Sequence, residues 1–153
     1  MKILMVCLGN ICRSPLAEGI LQAKARTHNL PWQVDSAGTG AYHVGEQPDP
    51  RSQAVAHKYG LDISTQRARQ FKASDFDRFD LIFAMDSRNY QNILRLAKEE
   101  EQRERVKLIL EFTGSNERNV PDPYWDDNGF EHVYQLLDTA CERIVDIVGE
   151  KVS

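Results

Sequence analysis

The stretch VCLGNICRSP, residues 6–15, follows MKILM at the start of the chain. Ile3, Leu4, Met5 and Val6 form a short apolar run, which suits a strand buried on both faces. Gly9 and Asn10 tolerate positive φ and mark a turn. Ser14-Pro15 then signals a helix, because serine is a favoured N-cap and proline is favoured at the first helical position. Leu16, Ala17, Ile20, Leu21 and Ala25 recur at helical spacing behind it. Cys7 and Cys12 therefore lie in a strand–loop–helix turn, beside an arginine and a serine. A metal clip, a structural disulfide and a nucleophile in a phosphate-binding loop are the three chemistries to separate.

Working outward, short apolar runs alternate with helical segments. Strands are predicted around residues 32–34, 79–85 and 105–110. Helices are predicted over 52–59, stopping at Gly60, over 88–98 behind an Asp86-Ser87 cap, and over 130–149. The last presents Val133, Leu136, Leu137, Ala140, Ile144 and Val148 on one face. A glycine-rich loop occupies residues 36–50. The charge run KEEEQRER, residues 98–105, reads as a solvated helix end. This alternation implies an α/β fold with parallel strands and right-handed crossovers. No repeat or long linker divides the chain, so residues 1–153 are expected to form a single domain.

Composition narrows the function. The chain of 153 residues is 41% hydrophobic and 27% charged, as a globular domain is. A net charge of −4 argues against general nucleic-acid binding. No apolar run reaches membrane-spanning length, and residues 3–8 are too short for a signal-peptide core. A cytoplasmic protein without a membrane partner is the expectation. Three cysteines are an odd count, and in a reducing compartment a cysteine pair is more often catalytic or redox-active than structural. A metal clip fits poorly, because zinc sites usually show closer cysteine pairs. The four histidines (His28, His43, His57, His132) are also scattered.

The phosphate-loop reading uses every part. Cys7 sits just past the carboxyl end of the first strand, where open α/β sheets bind ligands. Loop N–H groups and the following helix N-terminus can converge on an anion, and the same positive environment makes a thiolate available. Arg13 adds a fork of donors matched to phosphate oxygens, and the Ser14 hydroxyl can hydrogen-bond the thiolate. Leu8, Gly9, Asn10, Ile11 and Cys12 complete the cradle. Cys-x5-Arg alone arises by chance, but Cys-x5-Arg-Ser-Pro between a strand and a helix is far more specific.

VCLGNICRSP resembles the phosphate-binding loop of the low-molecular-weight protein tyrosine phosphatases. VDSAGTGAYHVGEQPDPRS, ARQF, FDLIFAMD and VPDPYW resemble the same family in the same order, over nearly the whole chain. The resemblance implies a three-layer fold with a four-stranded parallel sheet flanked by helices. It implies neither cofactor nor metal, phosphotyrosine-containing proteins as partners, and phosphate, vanadate or other oxyanions as inhibitors. Asp122, stiffened between Pro121 and Pro123, matches the general acid of the family's Asp-Pro-Tyr motif. Tyr124, Trp125 and Tyr42 are expected to wall an aryl-phosphate pocket, although Trp125 departs from the second tyrosine usual there. Asn10 and Ser36 resemble a network that braces the loop, and Gln66 stands where animal members carry histidine. Asp86 and Arg69 are expected to form a supporting ion pair near the site.

Three alternatives stay open. An arsenate reductase needs further cysteines, and beyond the loop only Cys141 remains, in a helix where a small buried residue is the simpler reading. Phosphoarginine phosphatases resemble this loop but carry threonine in place of Ile11. A silent phosphate-binding module would have no need to retain Cys7, Arg13 and Asp122 together. Cys12 is not needed for displacement. It suits a redox role, trapping oxidised Cys7 as a reversible disulfide.

Overall fold

The computed structural model describes residues 1–152. In chain order the elements are β1 (Lys2–Cys7), α1 (Arg13–Thr27), β2 (Gln33–Gly38), α2 (Pro50–Lys58), α3 (Asp75–Arg78), β3 (Leu81–Ala84), α4 (Ser87–Leu94), α5 (Glu100–Glu104), β4 (Val106–Leu108), α6 (Ile109–Phe112) and α7 (Phe130–Val152), with a 3₁₀ turn at Pro123–Trp125. The sheet is four-stranded and parallel throughout, in the order β2-β1-β3-β4. β1 is buried from Ile3 onward, which explains why its sequence is continuously apolar rather than alternating.

Its side chains still alternate between two cores. Ile3, Met5 and Cys7 join Leu16 and Ala17 of α1, Val55 of α2 and Val133 and Leu137 of α7. Leu4 and Val6 join Phe76, Phe79 and Ile93 on the opposite face. The result is the expected three-layer α/β architecture. From β1 the chain crosses to β2 on one side, and from β2 it passes to β3 on the other. The strand order thus reverses at the carboxyl end of β1, where such sheets open a ligand crevice.

Several boundaries differ from the sequence reading, each for a tertiary reason. α1 begins at Arg13 with Cys12 as N-cap, so Ser14 lies inside the first turn and its hydroxyl is used elsewhere. β2 runs on to Gly38, because it pairs with the whole of β1 (Met5 opposite Ser36, Cys7 opposite Gly38), and Ser36 is therefore a strand residue. α2 starts at Pro50 under an Asp49 cap that accepts from Arg51 N. Asp86 does cap α4, accepting from Asn89 N at 2.8 Å, but α4 ends at Leu94. The charge run forms its own short helix, α5, opened by a capping box of Glu99 and Gln102. β4 is shortened because Ile109 opens α6. α7 keeps the expected apolar face, except that Leu136 is half-buried while Tyr134, Cys141 and Val145 are buried. Among the described residues no helix is long and apolar enough to cross a membrane.

Candidate active site

The loop after β1 is turned so that its carbonyl groups point outward into the fold. Cys7 O accepts from Thr39 N and Leu8 O from Gly40 N, both at 2.9 Å. Ile11 O accepts from Asp49 N at 2.8 Å, and Cys12 O from Ser52 Oγ at 3.2 Å. The N–H groups of Gly9, Asn10, Ile11 and Cys12 find no acceptor among the described residues. A loop with carbonyls tied back and N–H groups free is an anion-binding concavity, and α1 begins at its end. Two residues permit the curl. Asn10 takes φ 58°, which asparagine tolerates. Gly38 must stay small, because a Cβ there would lie 2.7 Å from Leu8 O.

Cys7 is buried at the start of this loop, its Sγ 3.0 Å from Ser14 Oγ. Asn10 stands behind the loop. Its Nδ2 donates to Ser14 Oγ (2.8 Å) and Ser36 Oγ (2.9 Å), and its Oδ1 accepts from Arg69 N. Ser36 in turn donates to Glu18 Oε1 at 2.8 Å. A continuous chain thus runs from the thiol through Ser14, Asn10 and Ser36 to Glu18. Gln66 braces α1 instead, donating to Pro15 O at 3.1 Å.

Burial, reinforced by Asp35 and opposed by the Ser36 hydrogen bond and by Arg69, raises the Glu18 carboxyl from 4.5 to about 7. The sign of the consequence follows by linkage. Between these values the folded chain holds a proton that the unfolded chain has released. Stability from the neutral form is complete below the unfolded value and is lost as pH rises through the folded one. Glu18→Gln keeps an acceptor for Ser36 and removes the ionisation. It should therefore raise stability by roughly 1–3 kcal/mol at pH 8 and change it little at pH 4. Thermal unfolding of both proteins from pH 4 to 8 checks this, and parallel pH curves would contradict it.

Arg13 reaches under the loop from α1. Its Nη1 donates to Asp86 Oδ2 (2.7 Å) and Val120 O (2.9 Å), and its Nη2 lies 3.7 Å from Asp122 Oδ2. Burial opposes its charge, but Cys7, Asp86 and Asp122 outweigh that and hold the guanidinium above its ordinary value. The expected Asp86–Arg69 pair is therefore corrected. Asp86 belongs to Arg13, whereas Arg69 is forked onto the buried Asp75 (3.0 and 3.1 Å) and reaches Asp35. Burial first, then the Asp49 and Cys7 charges, push the Cys12 thiol up to about 12. Cys141 lies wholly buried in α7 and takes no part in the cavity.

The cavity, about 290 Å³, gathers Cys7, Leu8, Gly9, Ile11, Cys12 and Arg13 at its base with Tyr42, Asp122, Tyr124 and Trp125 above. Asn10, Ser14 and Ser36 stand behind the lining. Trp125 is 88% exposed and Tyr42 74%, so both belong to the rim and not to a core. Asp122 caps the 3₁₀ turn, accepting from Tyr124 N at 3.1 Å. His43 was not anticipated. It lines the cavity, pairs with Glu46 at 2.9 Å, and packs so close that a Cβ on Gly9 would lie 3.0 Å from its ring. Glu18 was also missed, although it lies four residues after Ser14 on one face of α1. So was Arg51, although PDPR at residues 48–51 repeats the Pro-Asp-Pro of residues 121–123. Among the described residues no group of three or more His, Cys, Asp or Glu is placed to hold a metal ion.

The switch-point loop brings a buried thiol and a buried arginine to one cavity, an arrangement suited to cysteine-based phosphoryl transfer, and comparison with known proteins identifies the family. Residues 2–153 match the family model for low molecular weight phosphotyrosine protein phosphatase. A Synechocystis sp. chain named among the low molecular weight protein-tyrosine-phosphatases is 46% identical, with 99% of each chain covered. The solved structure of an Entamoeba histolytica protein tyrosine phosphatase, with Hepes in its active site, superposes with a TM-score of 0.93. It is 38% identical and covers 100% and 99% of the two chains. Vibrio vulnificus Wzb, solved with benzylphosphonate, superposes with a TM-score of 0.84 at 30% identity, covering 95% and 97%. The chain belongs to the low molecular weight protein tyrosine phosphatase family.

Proposed function

We propose that this chain, as one phosphatase domain over residues 1–153, hydrolyses phosphotyrosine in proteins through a phosphocysteine intermediate. The observation that carries the reading is the loop of free N–H groups curled around the Cys7 thiol, with Arg13 beneath it. Phosphate oxygens seat on the N–H groups of residues 9–12 and on Arg13, where developing charge is met by fixed dipoles. Cys7 Sγ attacks phosphorus, the P–O bond to the aryl oxygen breaks, and Asp122 protonates the departing phenoxide. Asp122 then takes a proton from water as that water attacks phosphorus and frees Cys7 and inorganic phosphate. Ser14 supports the thiolate by donating to it.

The cavity's shape supports an aryl ester. Cys7 is buried at the base while Tyr42, Tyr124 and Trp125 stand at the rim, so the phosphate must arrive on a stalk that aromatic walls can grip. The sulfonate and phosphonate held by the two solved relatives support oxyanions, phosphate and vanadate among them, as inhibitors here. Cys141 is too deeply buried to serve the thiol relay of an arsenate reductase, and Ile11 offers no hydroxyl toward a phosphoarginine. Purified protein assayed with chelator present against phosphotyrosine, phosphoserine and phosphoarginine peptides tests the reading. Phosphotyrosine should be turned over fastest, and a preference for either other peptide would overturn it.

A working thiol requires a reducing compartment, which supports cytoplasmic placement. It also invites oxidation. Cys12 lines the same cavity as Cys7, and both are free thiols in the structure. Peroxide converts the Cys7 thiolate to a sulfenic acid; the Cys12 thiolate then attacks that sulfur, hydroxide leaves and takes a proton from solvent, and a disulfide closes. Because burial keeps Cys12 protonated, closure should be slow relative to the first oxidation and should quicken with pH. Cys12→Ser should remain active yet fail to recover with dithiol after mild peroxide. Full recovery of that variant would remove the redox role.

A further inference from the structure

The mechanism needs Asp122 held at a set distance from the phosphate loop, yet the two lie far apart in sequence. The loop that carries Asp122 is pinned where it enters. Val120 N donates to Met85 O at 2.8 Å, and Val120 O accepts from Arg13. The exit side needs its own anchor, and Arg51 occupies that place.

Arg51 belongs to α2, whose N-terminus is fastened to the phosphate loop. Asp49 N donates to Ile11 O and Ser52 Oγ to Cys12 O, so residues 49–52 move with the cradle. The Arg51 fork closes on the Asp49 carboxylate, Nε to Oδ1 at 3.0 Å and Nη2 to Oδ2 at 2.9 Å. Asp49 thus aims the guanidinium across the gap. There Nη2 also donates to Tyr124 O at 3.0 Å, and Nη1 to Asp127 Oδ1. The guanidinium carbon stands 4.6 Å from the centre of the Phe130 ring and 5.6 Å from that of Tyr124. Tyr124 is the residue whose N–H holds Asp122 Oδ1 and whose ring walls the pocket. One side chain therefore ties the cradle, the acid's turn and the start of α7 together.

We propose that Arg51 is a positioning residue for the general acid: it sets the separation between the phosphate loop and Asp122 through Tyr124. The inference rests on the reading of Asp122 as that acid. A planar fork with this many fixed partners cannot be replaced by an ammonium. A displacement of about 1 Å in a catalytic group can cost about 10²-fold in rate.

The test uses two aryl phosphates that differ in leaving group, phenyl phosphate (poor) and p-nitrophenyl phosphate (good). Arg51→Ala should lose roughly 10–100-fold in kcat/KM on phenyl phosphate and only about 3-fold on p-nitrophenyl phosphate. Inhibition by inorganic phosphate should stay within about 3-fold of wild type, because the cradle and Arg13 are untouched. Arg51→Lys should stay impaired on phenyl phosphate, and it carries the comparison if the alanine variant fails to fold. In an Asp122→Asn background Arg51→Ala should add no further leaving-group dependence, since the group it positions is gone. Equal losses on both substrates, or full rescue by lysine, would overturn the positioning role. A leaving-group-independent Asp122→Asn would instead overturn the reading of Asp122 beneath it.

Discussion

Cys7→Ser is expected to abolish turnover, with kcat lower by about 10⁴-fold or more, while leaving phosphate binding intact. The substitution replaces sulfur by oxygen at the base of the cavity and changes little else. The hydroxyl can still meet Ser14 Oγ, which lies 3.0 Å from the sulfur. The outward carbonyl ties of residues 7, 8, 11 and 12 do not involve the side chain, so the N–H groups should remain turned inward. Arg13 keeps Asp86 and Val120. What is lost is nucleophilicity, because a neutral alcohol at this place has no strong base beside it. Titration calorimetry with inorganic phosphate should give a dissociation constant within about 3-fold of wild type, since the cradle's donors are unchanged. Turnover close to wild type would show that Cys7 is not the nucleophile. Lost phosphate binding would show that the thiol holds the cradle open.

The architecture was legible where the signals are local. A continuous apolar run, a Gly-Asn turn and a Ser-Pro helix start place β1, the loop and α1 with no help from the rest of the chain. Signals that depend on partners were not legible. β2 could not be extended to Gly38 from its own residues, because Asp35 and Ser36 are strand residues only by pairing with β1. Ser14 looked like a cap because serine caps helices in isolation, but the fold spends its hydroxyl on Cys7 and Asn10.

The site divides in the same way. Cys7, Arg13 and Asp122, which the structure brings to one cavity, were legible as candidates because each sits in a short, chemically unusual motif. The choice of ion-pair partners is three-dimensional. Asp86 lies at the end of β3, the strand next to β1, and so meets Arg13; Arg69 lies beside α3 and so meets Asp75. Trp125 stands at the rim because its side chain is exposed, a result of packing that no local pattern reports. Arg51 was hidden for a different reason. Its role lies in connecting two loops, and no local pattern reports which loops a side chain connects.

Asp122→Asn tests the proposed general acid with an opposite pair of signs. Asparagine keeps the oxygen that accepts from Tyr124 N, so the 3₁₀ turn and the pocket wall should persist. It cannot donate a labile proton to a leaving phenoxide or accept one from water. kcat should fall by roughly 10²–10⁴-fold, the usual worth of a general acid or base. The loss in kcat/KM should grow with leaving-group pKa, because a good leaving group needs little protonation. Binding should move the other way. Asp122 Oδ2 lies 3.7 Å from Arg13 Nη2, so its carboxylate competes with a phosphate for the same guanidinium and repels the incoming anion. Removing that charge should leave phosphate inhibition unchanged or tighten it. A merely structural aspartate predicts otherwise: with the turn kept by asparagine, any loss should be small and the same for every substrate. Chemistry slowed most for poor leaving groups, on a site that binds phosphate no less tightly, is the outcome that separates the two, and it requires only steady-state kinetics with a leaving-group series and a phosphate inhibition curve.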